Sequence, residues 1–279
     1  MLVNKNFSYY KRKNEEVGGF MAFSWMGDVY VVKENFDPEY PGAGEALVHE
    51  LEHIIQRDYF NLKGDGTYDG EKAAGAIIEG DAVLAGRLYA GKNISEINVY
   101  EVDENNVLNF IYLFPYNYGV RYLARYYEKG GYEFVDEVLR NPPTTTEQII
   151  HFVNDSFEIP ENDVFPCELV KVERLGELFV FSFLAAHIND SEAWRAAEGW
   201  NGDSYVLYKN CTGLKFRWQW RILWDSEEDA EEFYTTLNET MQKIAKRKEN
   251  YWITGKGYLN QRISAVLTGN EVTIDGMGI

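Results

Sequence analysis

Glu45-Ala46-Leu47-Val48-His49-Glu50-Leu51-Glu52-His53-Ile54-Ile55-Gln56 decides how this chain is read, because it sets an H-E-x-x-H sequence inside an apolar helical pattern. Ala46, Leu47, Val48, Leu51, Ile54 and Ile55 recur at helical spacing, and neither Gly nor Pro interrupts the run from Glu45 to Phe60. Pro41-Gly42-Ala43-Gly44 supplies a start. On a helix, residues four apart lie one turn and about 6 Å along the axis from each other. His49 and His53 therefore project from one face toward a single metal ion, with Glu50 placed to reach a water on that ion. The alternative is two surface histidines on an acidic helix. Apolar residues on more than one side predict a buried helix, and buried His and Glu side chains need partners.

A zinc hydrolase keeps three protein ligands and leaves a fourth position open. The residue six after His53 is Tyr59, so a third histidine at that spacing is absent. The segment from about Gly70 to Tyr89 has helical character, and Glu79 lies in its apolar centre among Ala76, Ile77, Ile78, Ala82, Val83 and Leu84. A carboxylate there is costly unless coordinated or paired. Glu79 is the candidate third ligand; the alternative is a salt bridge to Arg87 or Lys72. Asp81 is either an acceptor that orients a ligand histidine or a solvated acid.

The runs ALVHELEHIIQRDYF (residues 46–60) and AIIEGDAVLAG (residues 76–86) resemble the HExxH…EGDA pattern of a group of prokaryotic, gluzincin-like zinc-peptidase proteins. The resemblance continues over Phe114–His151, which contains PPTTTEQIIH, and over Ala196–Tyr208 and Trp224–Phe233, so it covers most of the chain from about Gly19. It implies peptidase chemistry without naming a substrate. Members often read HELTHALQDQ, whereas this chain has Glu52 and Ile55-Gln56-Arg57-Asp58; the ligand positions are unaffected.

With 279 residues, 45% of them hydrophobic, the chain can bury a full core. A formal charge of −18 argues against a nucleic-acid partner, which requires a basic footprint. No apolar run approaches the ~20 residues of a membrane span, and the N-terminal MLVNKNFSYYKRKNEE lacks the apolar core of a signal peptide. Six N-x-[ST] sequons, at Asn6, Asn93, Asn154, Asn189, Asn210 and Asn238, point to an extracytoplasmic protein, with a cytoplasmic one as the alternative. Cys167 and Cys211 are either a disulfide or two buried thiols.

Residues 19–33 read as a β-hairpin about Met26-Gly27-Asp28, an edge that either holds an extended peptide or serves ordinary pairing. Asn61–Gly70 is a turn; its Asp65, Asp69 and Glu71 lack EF-hand spacing. Two helices are expected between Phe114 and Arg140, split at Gly130-Gly131, and then a threonine-capped helix ending at His151. His151 is the candidate oxyanion donor, with Tyr116 and Tyr118 as others, and a backbone-bonded structural histidine as the alternative. His187 reads as a core histidine. Beyond Cys167 the expected elements are helices over 170–187, 191–198 and 227–248, strands over 204–208 and 215–224, and a hairpin over 261–274. Asp203 reads as a turn stabiliser before its strand. Trp200, Trp218, Trp220 and Trp224 form either core or a ligand platform.

The expectation is an α+β protein: a zincin-like region over residues 1–165, with active-site helices beside a small sheet, and an α+β lobe over residues 166–279. One Zn2+ is held by His49, His53 and Glu79, Glu50 is general base, His151 is the oxyanion donor, and the substrate is a peptide or protein. The rival is a binding or assembly protein with a structural or vestigial metal, and a zinc amidase or esterase uses the same constellation.

Overall fold

Hairpin strands β1 (Ala22–Trp25) and β2 (Asp28–Val31) open the described chain, with Trp25 opposite Asp28 across a Met26-Gly27 turn. Both turn residues have positive φ. The computed structural model describes residues 21–97, 102, 106–255 and 260–279. The readings of the N-terminal run and of the Asn6 sequon lie outside them. The hairpin packs on α1 (Pro41–Tyr59), which begins with a proline where a missing N–H costs nothing. Only Ala43 and Gln56 are buried on α1, while Leu51 and Ile55 are 51% and 44% exposed. The expectation of an enclosed helix is therefore corrected: α1 lies at the margin of the fold, with one flank open.

α2 (Tyr68–Tyr89) starts at Thr67, whose Oγ1 accepts from the Gly70 N–H. α3 (Val107–Gly130) starts seven residues before Phe114 and runs straight through Pro115. Proline cannot donate to the carbonyl one turn back. That carbonyl, Ile111 O, accepts from Lys72 Nζ of α2 at 3.4 Å. Gly131 at φ 66 separates α3 from α4 (Tyr132–Arg140). α5 (Thr146–His151) carries a capping box between Thr145 and Gln148.

The remaining elements are β3 (Glu168–Glu173), α6 (Gly176–Ala185), α7 (Asp190–Ala197), β4 (Trp200–Lys209), β5 (Phe216–Trp224), α8 (Glu227–Ile244), β6 (Lys246–Lys248), β7 (Tyr251–Thr254), β8 (Gln261–Thr268) and β9 (Glu271–Gly278). β3 to β9 form one antiparallel sheet in the order β3-β4-β5-β9-β8-β7-β6. Among the described residues the fold is thus α+β, with eight helices, a seven-stranded sheet and a separate hairpin. No helix among them is long and apolar enough to cross a membrane.

Two helix assignments are corrected. Residues 170–173 belong to β3, because the chain turns left-handed at Gly176 (φ 78) and cannot carry a helix back through it. Residues 246–248 pair with β7, so α8 stops at Ile244. β7 was not foreseen.

One continuous core runs from Ala73 on α2 to Ile274 on β9. Buried Asp69 fastens the helical region to the sheet region, and buried Asp203 fastens α6 to the sheet. Asp69 accepts from Thr146 N (2.9 Å), Thr146 Oγ1 (2.6 Å) and Arg174 Nε (3.0 Å). Asp203 accepts from Leu175 N (2.9 Å), Gly176 N (2.8 Å), Trp200 Nε1 (3.2 Å) and Trp220 Nε1 (2.9 Å). It fastens the start of α6 and is more than a local turn stabiliser. Cys167 and Cys211 are joined by a disulfide beside a small cluster with Val206 and Tyr208.

Candidate metal centre

α2 packs on α1 along one side and on α3 along the other. Its contact with α3 is backbone on backbone. A Cβ on Gly80 would lie 2.3 Å from the Gly119 carbonyl carbon, and one on Gly119 would lie 1.8 Å from Ala76 O. Only glycine permits that approach. It sets Glu79, next to Gly80, beside Tyr116, three residues before Gly119.

His49, His53 and Glu79 converge. Their ligand atoms all lie within 4.8 Å of one another, the only such group of three among the described residues. His49 Nε2 and His53 Nε2 are 3.1 Å apart, and Glu79 Oε2 is 3.3 Å from the first and 3.6 Å from the second. Glu79 Oε2 is closed off from solvent without a directed hydrogen bond. The alternative partners are engaged elsewhere: Lys72 with Ile111 O, and Arg87 with the carbonyls of Asn93 and Glu96. Burial pushes the Glu79 carboxyl up, but the two imidazoles beside it more than reverse this and hold it down to about 2. An ionised carboxylate and two imidazole nitrogens around one point suit a divalent cation, zinc above all given the nitrogen-rich set.

The imidazole of His53 is held from behind. Gln56 Nε2 donates to Ile78 O at 2.9 Å and to Asp81 Oδ2 at 2.8 Å. Both amide hydrogens are thereby used, so Gln56 Oε1, 3.0 Å from His53 Nδ1, accepts. Nδ1 must carry a proton, so Nε2 is the nitrogen turned toward Glu79 and the one a metal would take once it is deprotonated. Burial, and then the Asp81 charge, push the Glu52 carboxyl up to about 7, and Glu52 and Asp81 are hydrogen-bonded. Asp81 therefore orients His53 through Gln56 and does not touch it.

Glu50 borders a cleft of roughly 570 Å³ together with His49, Tyr40, Glu45 and Ala82. A second cleft, roughly 400 Å³, reaches His53 and Glu79 from the other side, past Arg57, Phe60 and Ile78. The Tyr116 ring lies nearly parallel to that of His49, centroids 6.2 Å apart. Burial, followed by the charge of Glu79, raises its phenol so that it stays protonated as an O–H donor.

His151 is not brought to this cluster. Its Nε2 lies 2.8 Å from Glu177 Oε1, and the charges acting on it are Glu177, Glu198 and Glu147. Tyr118 stacks on Phe114, centroids 4.8 Å apart, and His187 meets Phe183 edge-on. Asp65 and Glu71 accept from loop groups at Thr67 and Gly66, while Asp69 binds Thr146 and Arg174. Gln56 was missed, although its place one turn after His53 puts it on the same helix face.

Residues 168–276, which begin after the helices bearing His49, His53 and Glu79, match a family described as a Domain of unknown function (DUF8575). No curated protein and no solved structure matches the chain.

Proposed function

We propose that the protein is a zinc-dependent, gluzincin-like hydrolase that cleaves peptide bonds, with His49, His53 and Glu79 as the residues that hold the ion. The observation that carries this reading is the convergence of two imidazole nitrogens on a solvent-shielded, ionised Glu79 oxygen, flanked by clefts on two sides. When bound, zinc polarises a carbonyl and lowers the pKa of a coordinated water toward neutrality. Glu50, on the cleft wall beside His49, takes the proton of the attacking water and passes it to the leaving amine. Tyr116 donates to the carbonyl oxygen as negative charge grows on it, and its raised phenol pKa keeps that proton available. The HExxH-x-x-Q spacing and the EGDA run support the same reading from the sequence side.

The test combines a peptide library, a chelator and one substitution. The wild-type protein is expected to hold one equivalent of zinc and to cleave at least one peptide class, and chelation should stop it. Glu50→Gln should keep the metal and lose turnover by a factor of about 10²–10⁴. Full activity in Glu50→Gln, or no metal in the wild-type protein, would overturn the assignment.

A further inference from the structure

The four tryptophans of strands β4 and β5 part company in the fold. Trp200 and Trp224 are fully buried packing residues. Trp218 and Trp220, two residues apart on β5 and so on one face of the sheet, border a separate cavity of roughly 330 Å³ between that face and helices α6 and α8. Gly276 lies opposite Trp218, and a Cβ there would fall 1.9 Å from the indole, so the ring lies flat across β9. Trp218 Nε1 then donates to Gln261 Oε1 on β8 at 3.0 Å.

The lining decides what fits. Phe179 and Phe183 come from α6, Leu237 and Met241 from α8, and Trp252 and Ile263 from the far strands. Among the described residues none of the lining side chains is charged, and Gln261 with the hydroxyl and indole edges of the aromatics supplies the polar side-chain atoms. A charged guest would be stripped of water without a counter-charge. The volume falls within the range of small-molecule sites, about 300–1,000 Å³, and is about twice that of an apolar cavity known to take one benzene ring.

We propose that this cavity is a binding site for an uncharged, mainly hydrocarbon molecule of about two rings, held between the tryptophan face of the sheet and α6 and α8. It is a separate site from the metal centre: no residue is shared between the two linings. The intact protein titrated with 6-propionyl-2-(dimethylamino)naphthalene, a neutral two-ring fluorophore, should show saturable one-to-one binding with blue-shifted emission and a raised thermal midpoint. Chelating the metal should leave this binding unchanged. Ala265→Trp fills the cavity from the sheet and Leu237→Trp fills it from α8; either should weaken binding at least tenfold while the protein stays folded. 5-(Dimethylamino)naphthalene-1-sulfonate, which puts a charge on the same two rings, should bind at least tenfold more weakly than the neutral probe in the wild-type protein. That comparison needs no variant to fold. No saturable binding, equal binding by a folded filled variant, or preference for the sulfonate would each overturn the proposal.

Discussion

Gln56 shows how much of the candidate site lies outside the motif. Its amide spends both hydrogens on Ile78 O and Asp81, which forces the proton of His53 onto Nδ1. Removing the amide frees the ring to rotate and to take the wrong tautomer. Gln56→Ala should therefore weaken zinc binding about 10- to 100-fold, measured by competition with a chelator, while the helix content stays unchanged. His49 and His53 were legible because a one-turn spacing is a local fact, and Glu79 because an acid in an apolar run demands a partner. Gln56 was not, since its role depends on Ile78 and Asp81, more than 20 residues on. Tyr116 was one of 20 tyrosines with nothing local to single it out as the neighbour of His49. His151 was placed by its motif, and no local signal announces Glu177 as its partner.

The same scale yields a pH prediction away from the metal. Burial, and then the charges of Glu177 and Asp225, push the Glu147 carboxyl up to about 8, while Glu177 is itself raised by burial. The folded chain thus holds a proton on Glu147 between its ordinary range and about pH 8, where the unfolded chain has released it. Stability from this group is present in full at low pH and is lost as the pH climbs through that window. His151, raised chiefly by its hydrogen bond to Glu177, adds a change of the same sign. The thermal midpoint should fall from about pH 5 to about pH 8.5, and Glu147→Gln should make that fall shallower. An equal slope in both proteins would refute the assignment.

At the level of elements, the crossing of α2 and α3 positions the site. Gly80 and Gly119 let the two backbones touch, and Glu79 and Tyr116 meet because they flank that contact. Gly119→Ala puts a methyl group into the Ala76 carbonyl and must push the helices apart. It should cost about 2 kcal/mol or more by chemical denaturation, and should weaken metal binding as well. Most helices and the hairpins were legible from periodicity, caps and turn residues. The failures share one cause. β3 and β6 became strands because β4 and β7 offered them hydrogen-bonding edges, and distant pairing outweighed local preference. α3 passes through Pro115 because Lys72 of another helix supplies the donor that proline lacks.

Over the whole molecule, the helical and sheet regions share one core, and the buried carboxylate of Asp69 bolts them together. Asp69 and Glu79 ride on the same unbroken helix, ten residues and so about 15 Å apart along its axis. A helix is stiff over that length, so α2 behaves as a lever whose one end is tied through Arg174 to the DUF8575-matched region and whose other end carries Glu79 of the candidate metal site. Loosening the anchor with Asp69→Asn should lower zinc affinity in a chelator competition, although no atom of that residue approaches the ion. An unchanged affinity would mean that the lever flexes. A lowered affinity would identify the DUF8575-matched region as the fulcrum that keeps Glu79 in register, a mechanical purpose independent of any chemistry of its own.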